Sequence, residues 1–116
     1  MRSIDMKADR GARKVFCTPL KGRQRFFRLF GESSKAYGLA SGLVTLKSKE
    51  SVGLHNTKNK EEALIILEGQ ARLSYGKGLR IKVKKNCFVY IPPKTDHDLK
   101  NTGKGILKYV YITACI

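Results

Sequence analysis

A chain of 116 residues with 41% hydrophobic and 9% aromatic side chains is long and apolar enough for one core, and one domain is expected over 1–116. No apolar run approaches the ~18 residues of a membrane span, and MRSIDMKADRGARK carries charges where a secretory leader needs an apolar stretch, so a cytoplasmic protein with no membrane partner is expected. Lys and Arg number 24 against 9 Asp and Glu, a net charge of +15; acids are too scarce for ion-pair networks, and the uncompensated field attracts anions, from small carboxylates and phosphates to nucleic acid or acidic proteins.

Residues 1–30 hold nine bases and two acids, close to half of the excess. Within them, RQRFFRLF sets Arg25 and Arg28 around Phe26 and Phe27. Such interleaving can grip single-stranded nucleic acid, and it equally suits an edge strand with one apolar face and charges that discourage aggregation. Strands are expected near Lys14–Thr18, Arg25–Phe30, Tyr37–Leu46, Val52–Asn56, Glu62–Leu67, Gln70–Tyr75, Leu79–Val83, Phe88–Ile91, His97–Leu99 and Ile106–Ala114. Gly76 and Gly78 in YGKGL mark a hairpin, and Pro92-Pro93 ends the run before it because proline cannot donate to a ladder. No segment has a helical period over three turns, so an all-β sandwich or barrel is expected: basic N-terminal strands over 1–36 and a barrel core over 37–116. Cys17, Cys87 and Cys115 are odd in number and show no CxxC spacing, which predicts reduced thiols.

Both histidines lie in polar stretches beside apolar runs: GLHNTKNKEEALIILEG and YIPPKTDHDLKN. If His55 points into a barrel, position 57, a threonine, faces the same way, because side chains alternate along a strand. A strand, a polar loop and a second strand would set His55 beside Glu62, which opens the run ALIIL. With Glu62 inward, Leu64 and Ile66 are inward too, and Ala63, Ile65 and Leu67 face outward. Both faces are then apolar, so a cover is needed from the N-terminal strands or a second copy.

These two stretches resemble the paired motifs of the cupin superfamily, small barrels of the double-stranded β-helix or jelly-roll type. The first family motif runs Gly, five residues, His-x-His, three or four residues, Glu, six residues, Gly; His55, Glu62 and Gly69 fit, Thr57 stands in the second histidine slot and Lys49 in the leading glycine slot. The second runs Gly, five residues, Pro-x-Gly, two residues, His, three residues, Asn; Pro92, His97 and Asn101 fit, and Asn86 and Lys94 take the glycine slots. Six of the ten marked positions agree, across roughly half of the chain.

The resemblance implies a metal site made by His55, Glu62 and His97, with Thr57 in the fourth ligand slot. Two imidazoles and a carboxylate suffice for a divalent ion, Fe, Mn, Ni or Zn. It implies an enzyme of the dioxygenase, isomerase or lyase type acting on a small anionic oxygenated substrate, with Thr57 helping to orient water or substrate, and a homodimer. Tyr109 and Tyr111 share one face of the last run, and if that face is inward they line the pocket or donate a proton to substrate. The alternative reading is a cupin without metal: a non-catalytic binding module, a ligand sensor, or a basic protein that contacts nucleic acid. No candidate recognition helix supports sequence-specific DNA reading.

Overall fold

The computed structural model describes residues 15–30 and 38–116. Among the described residues nine strands form in chain order: β1 Phe26–Phe30, β2 Leu39–Leu46, β3 His55–Asn56, β4 Lys60–Glu68, β5 Gln70–Tyr75, β6 Leu79–Lys84, β7 Phe88–Ile91, β8 Asp96–Asn101 and β9 Leu107–Cys115. They make a five-stranded sheet in the order β1-β2-β9-β4-β7 and a four-stranded sheet in the order β3-β8-β5-β6. Every pairing is antiparallel. This is the all-β architecture that the strand pattern predicts, in the double-stranded β-helix form that the cupin resemblance implies.

The core sits between the inner faces. Val44, Leu46, Leu64, Ile66, Val89, Ile91, Leu107 and Tyr109 come from the five-stranded sheet, and Ala71, Leu73, Val83 and Leu99 from the other. Period-two alternation selects them: along β5 Ala71 and Leu73 are buried between polar Gln70, Arg72 and Ser74. On β4, Leu64 and Ile66 point inward as expected and Ile65 stays exposed. The β4-to-β5 turn depends on Gly69, whose φ is +88° and where a Cβ would lie 2.4 Å from Ile106 O. Gly76 and Gly78, both at positive φ, close the β5–β6 hairpin.

Strand boundaries differ from expectation in several places. Of the strand expected over Lys14–Thr18, Lys14 lies outside the described residues and 15–18 form no strand; β1 already occupies the edge beside β2. The Val52–Asn56 run shrinks to two residues because Gly53, at φ +104°, breaks the extended backbone, although Val52 N–H still donates to Leu99 O. β8 runs on to Asn101, two residues past the expected end, and β4 starts two residues early, at Lys60. The beginning of the Tyr37–Leu46 run and residues 1–14 lie outside the described residues.

Candidate metal centre

Three hydrogen bonds of Thr57 bring the histidines together. Thr57 Oγ1 donates to Pro92 O at 2.7 Å and accepts from Thr95 N–H at 3.0 Å, and Thr57 N–H donates to Thr95 O at 3.2 Å. Asn56 Nδ2 adds a bond to Asp96 Oδ1 at 2.8 Å. The β3 stub is thereby clamped to the start of β8 in the register His55↔His97. The rings stand edge to face with centroids 4.1 Å apart. After Thr57 the chain turns at Lys58, φ +57°, and crosses to the other sheet as β4, where Glu62 points inward. Its neighbour Glu61 takes the opposite parity and accepts a hydrogen bond from Tyr90. One ligand atom from each of His55, Glu62 and His97 lies within 4.8 Å of the others.

The hydrogen bonds fix the tautomers. His55 Nδ1 lies 2.8 Å from Gly53 O and His97 Nδ1 3.0 Å from Thr95 O. A carbonyl only accepts, so each Nδ1 carries the proton and each Nε2 is left with a bare lone pair. His97 is 3% exposed, and its Nε2 has no hydrogen-bond partner, although Glu62 Oε1 is 3.2 Å away. A lone pair facing a carboxylate at that distance is repulsive unless a proton or a cation lies between them. Burial pulls the His97 pKa down, but the Glu62 carboxylate and the Thr95 carbonyl outweigh it, and the net shift is upward. The donor set, the orphaned buried nitrogen and the backbone-oriented imidazoles all fit a divalent ion.

The three side chains open on a cavity of about 380 Å³. Its far wall is the inner face of the five-stranded sheet, where Val44, Tyr109 and Tyr111 meet Phe26 and Arg28 of β1. Tyr109 and Tyr111 do face inward. Burial, then the Glu62 carboxylate, push the Tyr109 phenol well above its ordinary range, so it keeps its proton. Tyr111 lies over Gly42, where a Cβ would sit 2.5 Å from its Cε2. A glycine at this inward position is what lets the ring lie flat against the wall.

The sequence profile of the Cupin domain family matches residues 42–113, which contain every residue of this centre. The chain belongs to the cupin family. An uncharacterised protein of Methanocaldococcus jannaschii is 39% identical over 70 residues; the match spans 60% of this cupin and about half, 54%, of the relative's length. An RmlC-like cupin with a double-stranded β-helix fold from the same organism superposes with TM-score 0.73 at 19% identity, covering 89% of this chain and 91% of that one. A predicted oxalate decarboxylase from Thermotoga maritima gives 0.72 at 20% identity, covering 78% and 79%. At these identities the two structures speak for the fold alone.

Against the cupin motifs, the departures keep the backbone and change the residue. Lys49, Asn86 and Lys94 stand in the three glycine slots, and all three have positive φ: +71°, +71° and +55°. The family's turns persist without the residue that makes them easy. Asn101 is fully buried: its Nδ2 donates to Leu46 O and Gly105 O, and its Oδ1 accepts from Gly103 N–H, so it organises the turn before β9.

Thr57, in the fourth ligand slot and in the cavity lining, commits its hydroxyl proton to Pro92 O and one lone pair to Thr95 N–H, and so braces the two ligand loops. Sequence reading also missed Arg28 and Lys60, the basic side chains of the cavity wall. Arg28 shares a strand face with Phe26, but nothing local revealed that β1 would bring it to the cavity wall in the register Arg28↔Gly42. Its neighbour Arg25 is held at the edge, 3.2 Å from Glu50 and bonded to Ser51 O.

Proposed function

We propose that this cupin holds one divalent metal ion through His55 Nε2, His97 Nε2 and a Glu62 carboxylate oxygen, and acts on a small anionic oxygenated substrate in the adjoining cavity. The observation that carries the reading is the buried, unpartnered His97 Nε2 facing Glu62. When bound, such an ion supplies Lewis acidity for a carbonyl or carboxylate, or a site for oxygen activation, which spans isomerase, lyase and dioxygenase chemistry. The chain's own residues do the rest. Arg28 and Lys60 bring positive charge to the cavity wall, which suits a carboxylate. Tyr109, held protonated, offers a hydrogen bond beside Glu62, while Tyr111, Val44 and Phe26 give the wall its apolar part. The likeness to a predicted oxalate decarboxylase is compatible with an anionic substrate.

The test is metal analysis of protein expressed without a histidine tag. About one divalent ion per chain, lost in His97→Ala, is expected; stoichiometric iron directs the next assay to oxygen uptake, and manganese, nickel or zinc to isomerase or lyase substrates. Failure to take up any ion under any loading condition overturns the proposal in favour of a metal-free binding module that uses the same cavity.

A homodimer and a reducing cytoplasmic setting belong to the same proposal. On the outer face of the five-stranded sheet, Phe88 and Tyr90 of the edge strand β7 stand exposed beside Ile65, an apolar strip that a second copy would cover. All three cysteines are free thiols. Among the described residues, no helix is long and apolar enough to cross a membrane.

A further inference from the structure

The outer face of the four-stranded sheet carries a line of cations that the metal centre does not use. Arg72 on β5 lies directly opposite Lys82 on β6 and directly opposite Lys100 on β8. Three like charges thus stand in one row across three adjacent strands, with Arg80 and Lys84 on the same face of β6. Like charges opposite one another destabilise a sheet. Edge protection accounts for lysine and arginine on β6, which is an edge strand, but not for Arg72 and Lys100 on interior strands. None of the five is in an ion pair among the described residues. The acids of this face are occupied elsewhere: Asp98 accepts from Gly53 N–H and Asp96 from Asn56 Nδ2.

A second observation marks the centre of the row. A hollow of about 380 Å³ is lined by Gln70, Arg72, Arg80, Ile81, Lys82 and Thr102. The Nε of Arg72 is buried there with no hydrogen-bond acceptor. That buried Nε is out of a ligand's reach, but the guanidinium it belongs to, at the centre of a row of unpaired cations, is a natural contact for an anion. The row extends past the hollow to Lys84 and Lys100, so the complementary ligand is an extended polyanion and not a single small phosphate. No aromatic side chain projects from this face among the described residues, which leaves no platform for unstacked bases. Among the described residues no helix offers itself to a groove.

We propose that this face binds the phosphodiester backbone of a nucleic-acid duplex without reading its sequence, with Arg72, Lys82 and Lys100 as the central phosphate contacts.

The test is fluorescence anisotropy with a labelled DNA duplex of arbitrary sequence, titrated at several salt concentrations. For about four neutralised phosphates, affinity falls roughly 100-fold between ~50 and ~200 mM salt. The triple variant Arg72→Gln, Lys82→Gln, Lys100→Gln flattens the slope of log affinity against log salt by about three units. A control triple, Lys47→Gln, Lys58→Gln, Lys94→Gln, removes the same charge from exposed loops and keeps most of the slope. Cooperative melting of both triples shows that binding, and not folding, has changed. Absence of binding at the lowest salt, equal losses in the two triples, or better competition by an unlabelled single strand of equal length overturns the proposal.

Discussion

His97 Nε2 lies 3.2 Å from Glu62 Oε1, across the gap between the two sheets, and this pair sets the pH response expected of the proposed metal centre. In the metal-free protein a proton relieves the repulsion. The folded-state pKa of His97 is raised above the ordinary value of about 6.5, so the pair's contribution to stability is fully present below that value and is lost as pH rises through the folded pKa. Thermal midpoints of metal-free protein therefore fall as pH is raised through that window, and Glu62→Gln flattens the dependence. Metal loading reverses the sign, because ligands must be deprotonated and uptake releases protons: affinity rises with pH.

Thr57→Val separates bracing from ligation. The change keeps the shape and removes the hydroxyl, leaving Pro92 O and Thr95 N–H without their partner. A loss of about 1–3 kcal/mol in denaturant unfolding is expected, with metal stoichiometry unchanged once the protein is folded and loaded. Loss of metal at full folding would return Thr57 to the ligand set.

Gly42→Ala tests the wall. The new methyl would meet the Tyr111 ring at 2.5 Å, so the ring must leave its place over β2. Such overpacking costs about 1–3 kcal/mol, read from denaturant unfolding. Metal content should hold while the affinity for substrate-like carboxylates drops, since Tyr111 lines the cavity and does not join the three ligands.

The glycine slots carry a prediction of opposite sign. Lys49→Gly and Lys94→Gly should each raise stability by roughly 0.5–1 kcal/mol, as relief of a left-handed backbone outweighs the entropy that glycine adds to the unfolded chain. Asn86→Gly should gain less, because asparagine tolerates that region better. Gly69→Ala goes the other way, since its φ of +88° and the carbonyl of Ile106 leave no room for a Cβ. Thermal melts of the four variants rank them.

Phe88→Lys with Tyr90→Lys tests the dimer. Two charges on the exposed strip of β7 should shift the protein from dimer to monomer in sedimentation while metal content is kept. A monomeric wild type at micromolar concentration would remove the homodimer from the proposal.

The sequence by itself determined most of the strands and the three candidate ligands. Alternation on β4 turned Glu62, Leu64 and Ile66 inward, and the spacings of two family-like motifs singled out His55, Glu62 and His97 among all polar residues. Those signals are local, carried by period-two patterning and fixed intervals along the chain. What only the tertiary structure decided was which side chains meet across strands distant in sequence. The bracing role of Thr57 appears only when Pro92 and Thr95 fold against it; Arg28 reads as surface until β1 pairs with β2 at the cavity wall; Arg72, Lys82 and Lys100 read as scattered bases until pairing register sets them in one row. Register is a nonlocal property, fixed by how two sheets close around one core, and no short stretch of sequence carries it.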